Sequence, residues 1–202
     1  MVSIVRAKGL KEERSRSFNA SVDWYHYFGD FQANLLVEGF YTKLSDPFVL
    51  TPPVKDPDGS AYLIQTRING SGAKVYGGTL EGKVAYKDKV QLQAGLTLQR
   101  SIYDSPEEWS ADEEHLSEKE RYSDKILRTP DVYGYFTATY MPVKAFSIAL
   151  NGNYTGRMYV PHLLSEVNGE ADVLVKSPDF FELGTKIAYD FDFQGFCFAA
   201  QC

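Results

Sequence analysis

The sequence has no run of about 18 consecutive apolar residues, which excludes a transmembrane helix. It has only two cysteines, Cys197 and Cys202, both near the end and without a His or Cys cluster beside them, so zinc binding and thiol chemistry find no support. The three histidines, His26, His115 and His162, lie far apart, on a predicted strand, a loop and a strand end, which is the wrong distribution for a metal triad. Positive charge is also short: 21 Lys and Arg against 27 Asp and Glu leave a net charge of −6, with no basic patch, and this argues against a nucleic-acid partner. No Ser/His/Asp or Cys/His grouping is visible, so the chain offers no catalytic residue and is not expected to be an enzyme. Met1 to Leu10 carries Arg6 and Lys8 but no apolar stretch, and no signal peptide is expected there.

What the sequence does have is a repeated unit of about ten residues in two-residue alternation, with no Asp, Glu, Lys or Arg on its apolar side. Phe18, Ala20, Val22, Trp24, His26 and Phe28 alternate with Asn19, Ser21, Asp23, Tyr25 and Tyr27. The same device returns at Phe31 to Tyr41, Tyr76 to Tyr86, Val90 to Leu98, Phe146 to Leu150 and Phe181 to Phe191. The opposite face is rich in Gln, Asn, Ser, Thr and Gly, which suits the wall of a wet lumen rather than the Lys- and Glu-rich surface of a soluble sheet. A mean hydropathy of −0.31 is compatible with this, because a barrel shows lipid only every second residue. Aromatic residues gather at the ends of the runs, at Tyr27, Phe28, Phe31, Tyr86, Tyr140, Phe146 and Tyr189, where interfacial girdles belong.

Connections alternate between short and long. Gly29-Asp30, Lys87 to Lys89 and Pro142 to Ala145 are hairpin turns, whereas Ser45 to Ser60, Asp104 to Leu127 and Pro161 to Ser177 are long polar loops. Keeping the long loops on one rim requires Tyr62 to Tyr86 to be one long strand, bent or bulged at Gly70-Ser71-Gly72. This gives about seven strands: Ser15 to Phe28, Phe31 to Leu44, Tyr62 to Tyr86, Val90 to Tyr103, Thr129 to Met141, Ala145 to Tyr159 and Asp179 to Asp192. Closed barrels leave no unpaired edge and bacterial ones use an even strand number, so an odd count points to part of a larger barrel. A soluble β-sandwich would instead scatter charge over both faces.

The loop from Asp104 to Leu127 carries nine acidic residues, but without the glycine of a calcium loop it reads as a solvated segment. Within it, Trp109 and Tyr122 are the candidate ligand-binding residues, as exposed aromatics; no catalytic or metal-ligating residue is assigned. Asp56-Pro57-Asp58-Gly59 has turn chemistry rather than that of a metal loop. Glu182, Lys186 and Asp190 are expected to pair across the lumen wall with Glu81 and Lys83.

The stretch from Arg128 to His162, RTPDVYGYFTATYMPVKAFSIALNGNYTGRMYVPH, resembles the late barrel strands of TonB-dependent outer-membrane receptors, especially the Bacteroidetes type. Asn69 to Tyr86, Ser177 to Phe191 and Ser17 to Asp46, with its EGFYT segment, are similar to further parts of that barrel in the same order. The resemblance implies an all-β fold, a partial transmembrane antiparallel β-barrel over residues 1–193, with 194–202 as a truncated or atypical tail. It also implies location in the outer membrane, contact with its lipid, and energised uptake of a scarce ligand such as a siderophore, cobalamin or glycan. The TonB complex would act through a plug domain, and neither a plug nor a signal peptide is recognisable in these 202 residues. No cofactor is implied. A non-transporting adhesin or porin-like barrel is the alternative of another class.

Overall fold

A computed structural model describes residues 2–55, 63–193 and 196–201. In chain order the strands are β1 (Val2–Arg6), β2 (Arg14–Phe28), β3 (Phe31–Ser45), β4 (Phe48–Leu50), β5 (Val54–Lys55), β6 (Leu63–Asn69), β7 (Ala73–Tyr86) and β8 (Val90–Glu108). They continue with β9 (Tyr122–Lys125), β10 (Val132–Val143), β11 (Phe146–Thr155), β12 (Tyr159–His162), β13 (Val173–Lys176), β14 (Phe180–Phe193) and β15 (Phe196–Gln201). One short helix, α1 (Ser165–Asn168), lies between β12 and β13. The main sheet runs β15-β14-β11-β10-β8-β7-β3-β2, an antiparallel meander in which each long strand pairs with the next long strand of the chain.

The hydrogen-bonding register joins like faces throughout. Val22 lies opposite Val37, Val37 opposite Leu80, Leu80 opposite Leu96, and Leu96 opposite Gly134. The row continues through Tyr154 to Phe181. A slip by one residue anywhere would turn a whole strand inside out. The apolar face assembled in this way is bare: Val22 is 72% and Leu183 64% exposed, and Ala73 is the one buried hydrophobic residue among the described residues. A soluble sandwich hides such a face in its core; this sheet presents it outward.

At the short-turn rim the outward face ends in rings. Phe31 meets Tyr86 with ring centroids 4.6 Å apart, Tyr189 meets Phe191 at 4.5 Å, and His26 lies between Trp24 and Phe28 at 5.3 and 4.4 Å. Of the residues expected in this girdle, Tyr27 falls on the other face, because it pairs with Gln32. Gly29, at φ 59°, takes the left-handed conformation needed in the two-residue turn between Phe28 and Phe31. Lys87 ties that turn to the next one through its backbone N–H, 3.0 Å from the Asp30 carbonyl, and its ammonium, 3.0 Å from the Asp30 carboxylate.

Three expectations change. Tyr62 to Tyr86 is not one strand with a bulge: β6 leaves the main sheet and pairs with β1, β4 and β5 in a small sheet at the long-loop rim. The break falls at Gly72, whose φ of 104° is open to glycine and whose missing Cβ would lie 2.6 Å from the Asp104 carboxylate. The early segment Val2–Arg6, read only for the absence of a signal peptide, is the parallel partner of β6. The main path has eight long-range strands rather than about seven, because Phe196–Gln201, without charge or proline, takes the open edge of β14. Asp56 to Gly59 lies outside the described residues.

The two faces predict unequal tolerance of charge. Val84→Arg, on the outward face, should destabilise the folded protein in liposomes by roughly 2–4 kcal/mol, and Thr79→Arg, on the concave face beside Thr97, by far less. Folding titrations into lipid vesicles measure both, and equal costs would contradict the assignment of faces.

Candidate functional site

The concave face is a wall of short-range polar contacts. The Gln93 amide donates to the Glu81 carboxylate at 2.7 Å and to the Tyr135 hydroxyl at 2.9 Å, linking β7, β8 and β10. Thr79 and Thr97 hydroxyls lie 2.9 Å apart, and Thr137 donates to Asn151 at 3.1 Å. Asn34 and Tyr25 both donate to Asp23 on the first hairpin. Tyr135 can lie flat along the wall only because residue 95 is glycine: a Cβ there would come within 2.5 Å of its ring. Each polar group has a neighbour on the wall, and each keeps lone pairs or protons for water or a polar solute. The expected pairing of Glu182, Lys186 and Asp190 with Glu81 and Lys83 does not form, because β8, β10 and β11 stand between β14 and β7.

Above this wall β8 continues past its contacts with β10 and pairs instead with β9. Here the long loops are fastened by a buried cluster. Asp112 accepts the Asp172 N–H at 3.0 Å, the His115 N–H at 3.0 Å and a bond from the His115 ring at 2.9 Å. Asp172 in turn accepts the Ser110 hydroxyl at 2.6 Å and the N–H groups of Leu164 and Ser165 at 2.7 and 2.8 Å. Ser110, Asp112 and Asp172 are all buried. The β8–β9 loop is thereby bolted to the loop that carries α1. Ser110 donates to Asp172 and the His115 ring bonds to Asp112, so the group braces one loop against the other.

Five further acidic residues of the loop are also engaged. Glu108 and Glu113 hold Arg121 at 2.6 and 3.3 Å, Glu120 accepts from Ser117 at 2.6 Å, Glu107 accepts the Ser71 N–H at 2.6 Å, and Asp104 takes Lys43 and Lys74. No group of His, Cys, Asp and Glu suited to a metal ion occurs among the described residues.

The two aromatic candidates are placed apart. Trp109 lines a cavity of about 530 Å³ between the small sheet and the loops, with Phe48, Pro53, Ile68, Tyr103 and Leu163. Its indole N–H is fixed on the Glu120 carbonyl at 2.8 Å. Tyr122 lines a separate shallow hollow with Pro106, Glu118 and Lys119. The brace and the β6 strand behind Trp109 were not visible in the sequence, since Asp112 and Asp172 are bonded across a separation of 60 residues.

The chain matches the family model described as TonB dependent receptor-like, beta-barrel, over residues 3–198. Among solved structures it is similar to the FrpB iron transporter from Neisseria meningitidis (F3-3 variant), with a TM-score of 0.53 and 16% identity over 93% of this chain and 26% of that one. The copper transporter OprC gives a TM-score of 0.58 at 15% identity, over 93% of this chain and 26% of that one. The ferric-catecholate import receptor Fiu from K12 E. coli gives 0.58 at 13% identity, over 91% and 22%. The chain thus spans about a quarter of the length of these structures. Among curated proteins none matches.

The brace is sensitive to pH from both sides. The bond from Asp112 raises the His115 ring above its ordinary 6.5 despite partial burial. For Asp112, burial works upward but is outweighed by bonds from the Asp172 N–H and from His115, which hold it below its ordinary 3.8. A raised His contributes fully below pH 6.5 and loses its contribution as pH rises through its folded value, while a lowered Asp contributes above 3.8 and loses it as pH falls. Hydrogen-exchange protection of residues 112–121, corrected for intrinsic rates, should therefore be greatest between pH 3.8 and 6.5 and fall above it. His115→Gln should flatten the alkaline limb. Asp172→Ala should loosen both loops together, since each buried donor left unpaired costs roughly 1–3 kcal/mol.

Proposed function

Because the chain belongs to the TonB-dependent receptor β-barrel family, we propose that it forms the C-terminal part of the barrel of an outer-membrane receptor of the Bacteroidetes type. The receptor imports a scarce ligand such as a siderophore, cobalamin or glycan, and TonB drives passage by remodelling a plug domain inside the barrel. The observation that carries this reading is the outward apolar face: it is continuous across the main sheet, and bare. Only hydrocarbon makes such a face favourable, and hydrocarbon in turn demands that every backbone group be paired. Within the described residues β2 and β15 each have one neighbour in the main sheet, so further strands must close the wall.

In this scheme the chain supplies wall and lids. The concave wall of Gln93, Tyr135, Thr137 and Asn151 is the lumen surface that a polar ligand passes. The cavity beside Trp109, under the braced loops, offers an arriving ligand an aromatic surface, and Tyr122 offers a second one in its own hollow. The ligands named for the similar structures, iron, copper and ferric catecholate, favour a metal complex as the cargo.

The topology is testable without knowing the cargo. With Cys197 and Cys202 replaced by Ser, Glu113→Cys should react with a membrane-impermeant maleimide on intact cells; Glu113 is 78% exposed in the loop. Asp30→Cys and Asp88→Cys, in the short turns, should react only after the outer membrane is permeabilised. Labelling at Asp30 on intact cells would invert the topology and remove the loops from the ligand's path.

A further inference from the structure

We propose that the outward surface above the apolar band, centred on Arg100, Lys125 and Lys176, binds the phosphate-bearing headgroups of anionic lipids in the leaflet on the long-loop side. The proposal rests on the barrel reading above and adds the chemistry of the lipid.

The register builds the surface. Phe18 lies opposite Tyr41, Tyr41 opposite Tyr76, and Tyr76 opposite Arg100, so the apolar band ends in an aromatic row that closes with a cation. One step higher, Arg16 lies opposite Lys43, Lys43 opposite Lys74, Lys74 opposite Ile102, and Ile102 opposite Lys125. A chain with a net charge of −6 and no basic run in its sequence thus folds to place Arg16, Lys43, Lys74 and Lys125 in one transverse row. The row sits directly above the residues that meet hydrocarbon, at the level where headgroups must lie.

Two of the carboxylates near it are already used. Asp104 serves both Lys43 and Lys74, and Asp179 holds Arg157 at 3.5 Å and the Tyr154 hydroxyl at 3.4 Å. Arg16, Arg100, Lys125 and Lys176 have no salt bridge among the described residues. Lys125 and Lys176 instead lie over the same Tyr159 ring, 4.7 and 5.8 Å from its centroid, so one aromatic ring brings two cations together. Arg100, Lys125, Arg157 and Lys176 line a cavity of about 660 Å³, together with Tyr76, Tyr154, Tyr159 and the carboxylates Asp124, Asp131 and Asp179. The buried Ser101 hydroxyl, which has no partner, belongs to a residue lining the same cavity. A phosphate there would relieve the repulsion between unpaired cations, and its acyl chains would run down over Leu98, Leu96 and Leu92.

The test uses the full-length protein, purified in neutral detergent, stripped of lipid and titrated by native mass spectrometry. The probes are phosphatidylglycerol, phosphatidylcholine, whose phosphate is offset by its own choline, and inorganic phosphate. Phosphatidylglycerol should bind more tightly than phosphatidylcholine, and inorganic phosphate should not displace it. Arg100→Gln/Lys125→Gln should weaken phosphatidylglycerol about 30-fold and leave phosphatidylcholine unchanged, on the scale of one basic residue per headgroup contact. Lys176→Gln alone, on the exposed β12–β13 hairpin, should weaken it about fivefold, which keeps the test available if the double variant does not fold. Lys83→Gln/Lys186→Gln, on the concave face, should keep the wild-type preference. Equal retention of both lipids by the wild type, or equal losses in the outward and concave variants, would overturn this proposal alone. Displacement by inorganic phosphate would assign the cavity to a free anion and overturn it too. A protein that retained neither lipid would overturn the barrel reading and this proposal with it.

Discussion

Backbone amides cannot go unpaired in hydrocarbon, and that requirement governs the rest of the molecule. It forces the long strands into one meander with continuous pairing, and once they are so paired, the two-residue period of the side chains divides the sheet into two surfaces. One surface carries Val22, Val37, Leu80 and Leu96 in a single row; the other carries Asp23, Asn34, Glu81 and Gln93. A hydrophobic core is unnecessary, because the membrane takes its place. The near absence of buried apolar residues among the described residues would be a defect in a soluble domain of this size, and here it follows from the solvent that the fold requires.

Above the membrane the solvent is water, and the means of stabilisation change with it. There the strands shorten, separate sheets form, and the segments are held by specific polar bonds in place of apolar burial. Asp112 and Asp172 each accept one donor from the other's loop and two from their own, which fixes the lids with a handful of groups. Because Asp112 and its partner His115 titrate, the lids can loosen while the wall below them remains intact. The loop that holds Trp109 therefore belongs to a layer whose stability is set separately from that of the barrel.

The spanning strands were legible in the sequence because periodicity is a local signal: Phe18 to Phe28 and Val90 to Leu98 declare their faces without reference to any partner. The hairpins were legible for the same reason, through Gly29-Asp30 and Lys87 to Lys89. The rim was not. Whether β6 continues β7 or departs from it turns on Gly72 meeting Asp104, a contact across 32 positions that no window of the sequence contains. The parallel pairing of β1 with β6, and the bond between residues 112 and 172, are non-local in the same way. Of the candidate site, the aromatic residues could be read as types, but their separation into two hollows is a property of the loop fold alone. The outward basic row was hidden for a further reason: its members, Arg16, Lys43, Lys74 and Lys125, come from four strands and lie far apart along the chain.

The central claim is that the apolar face meets lipid and the polar face meets water. Spin labels placed one at a time from Gly78 to Val84 in reconstituted full-length protein test it most directly, by comparing collision with oxygen, which dissolves in hydrocarbon, and with a water-soluble nickel complex. The account predicts two opposed oscillations of period two, with oxygen favoured at 78, 80, 82 and 84 and nickel at 79, 81 and 83. Two profiles that rise and fall together, or that show no alternation, would contradict it.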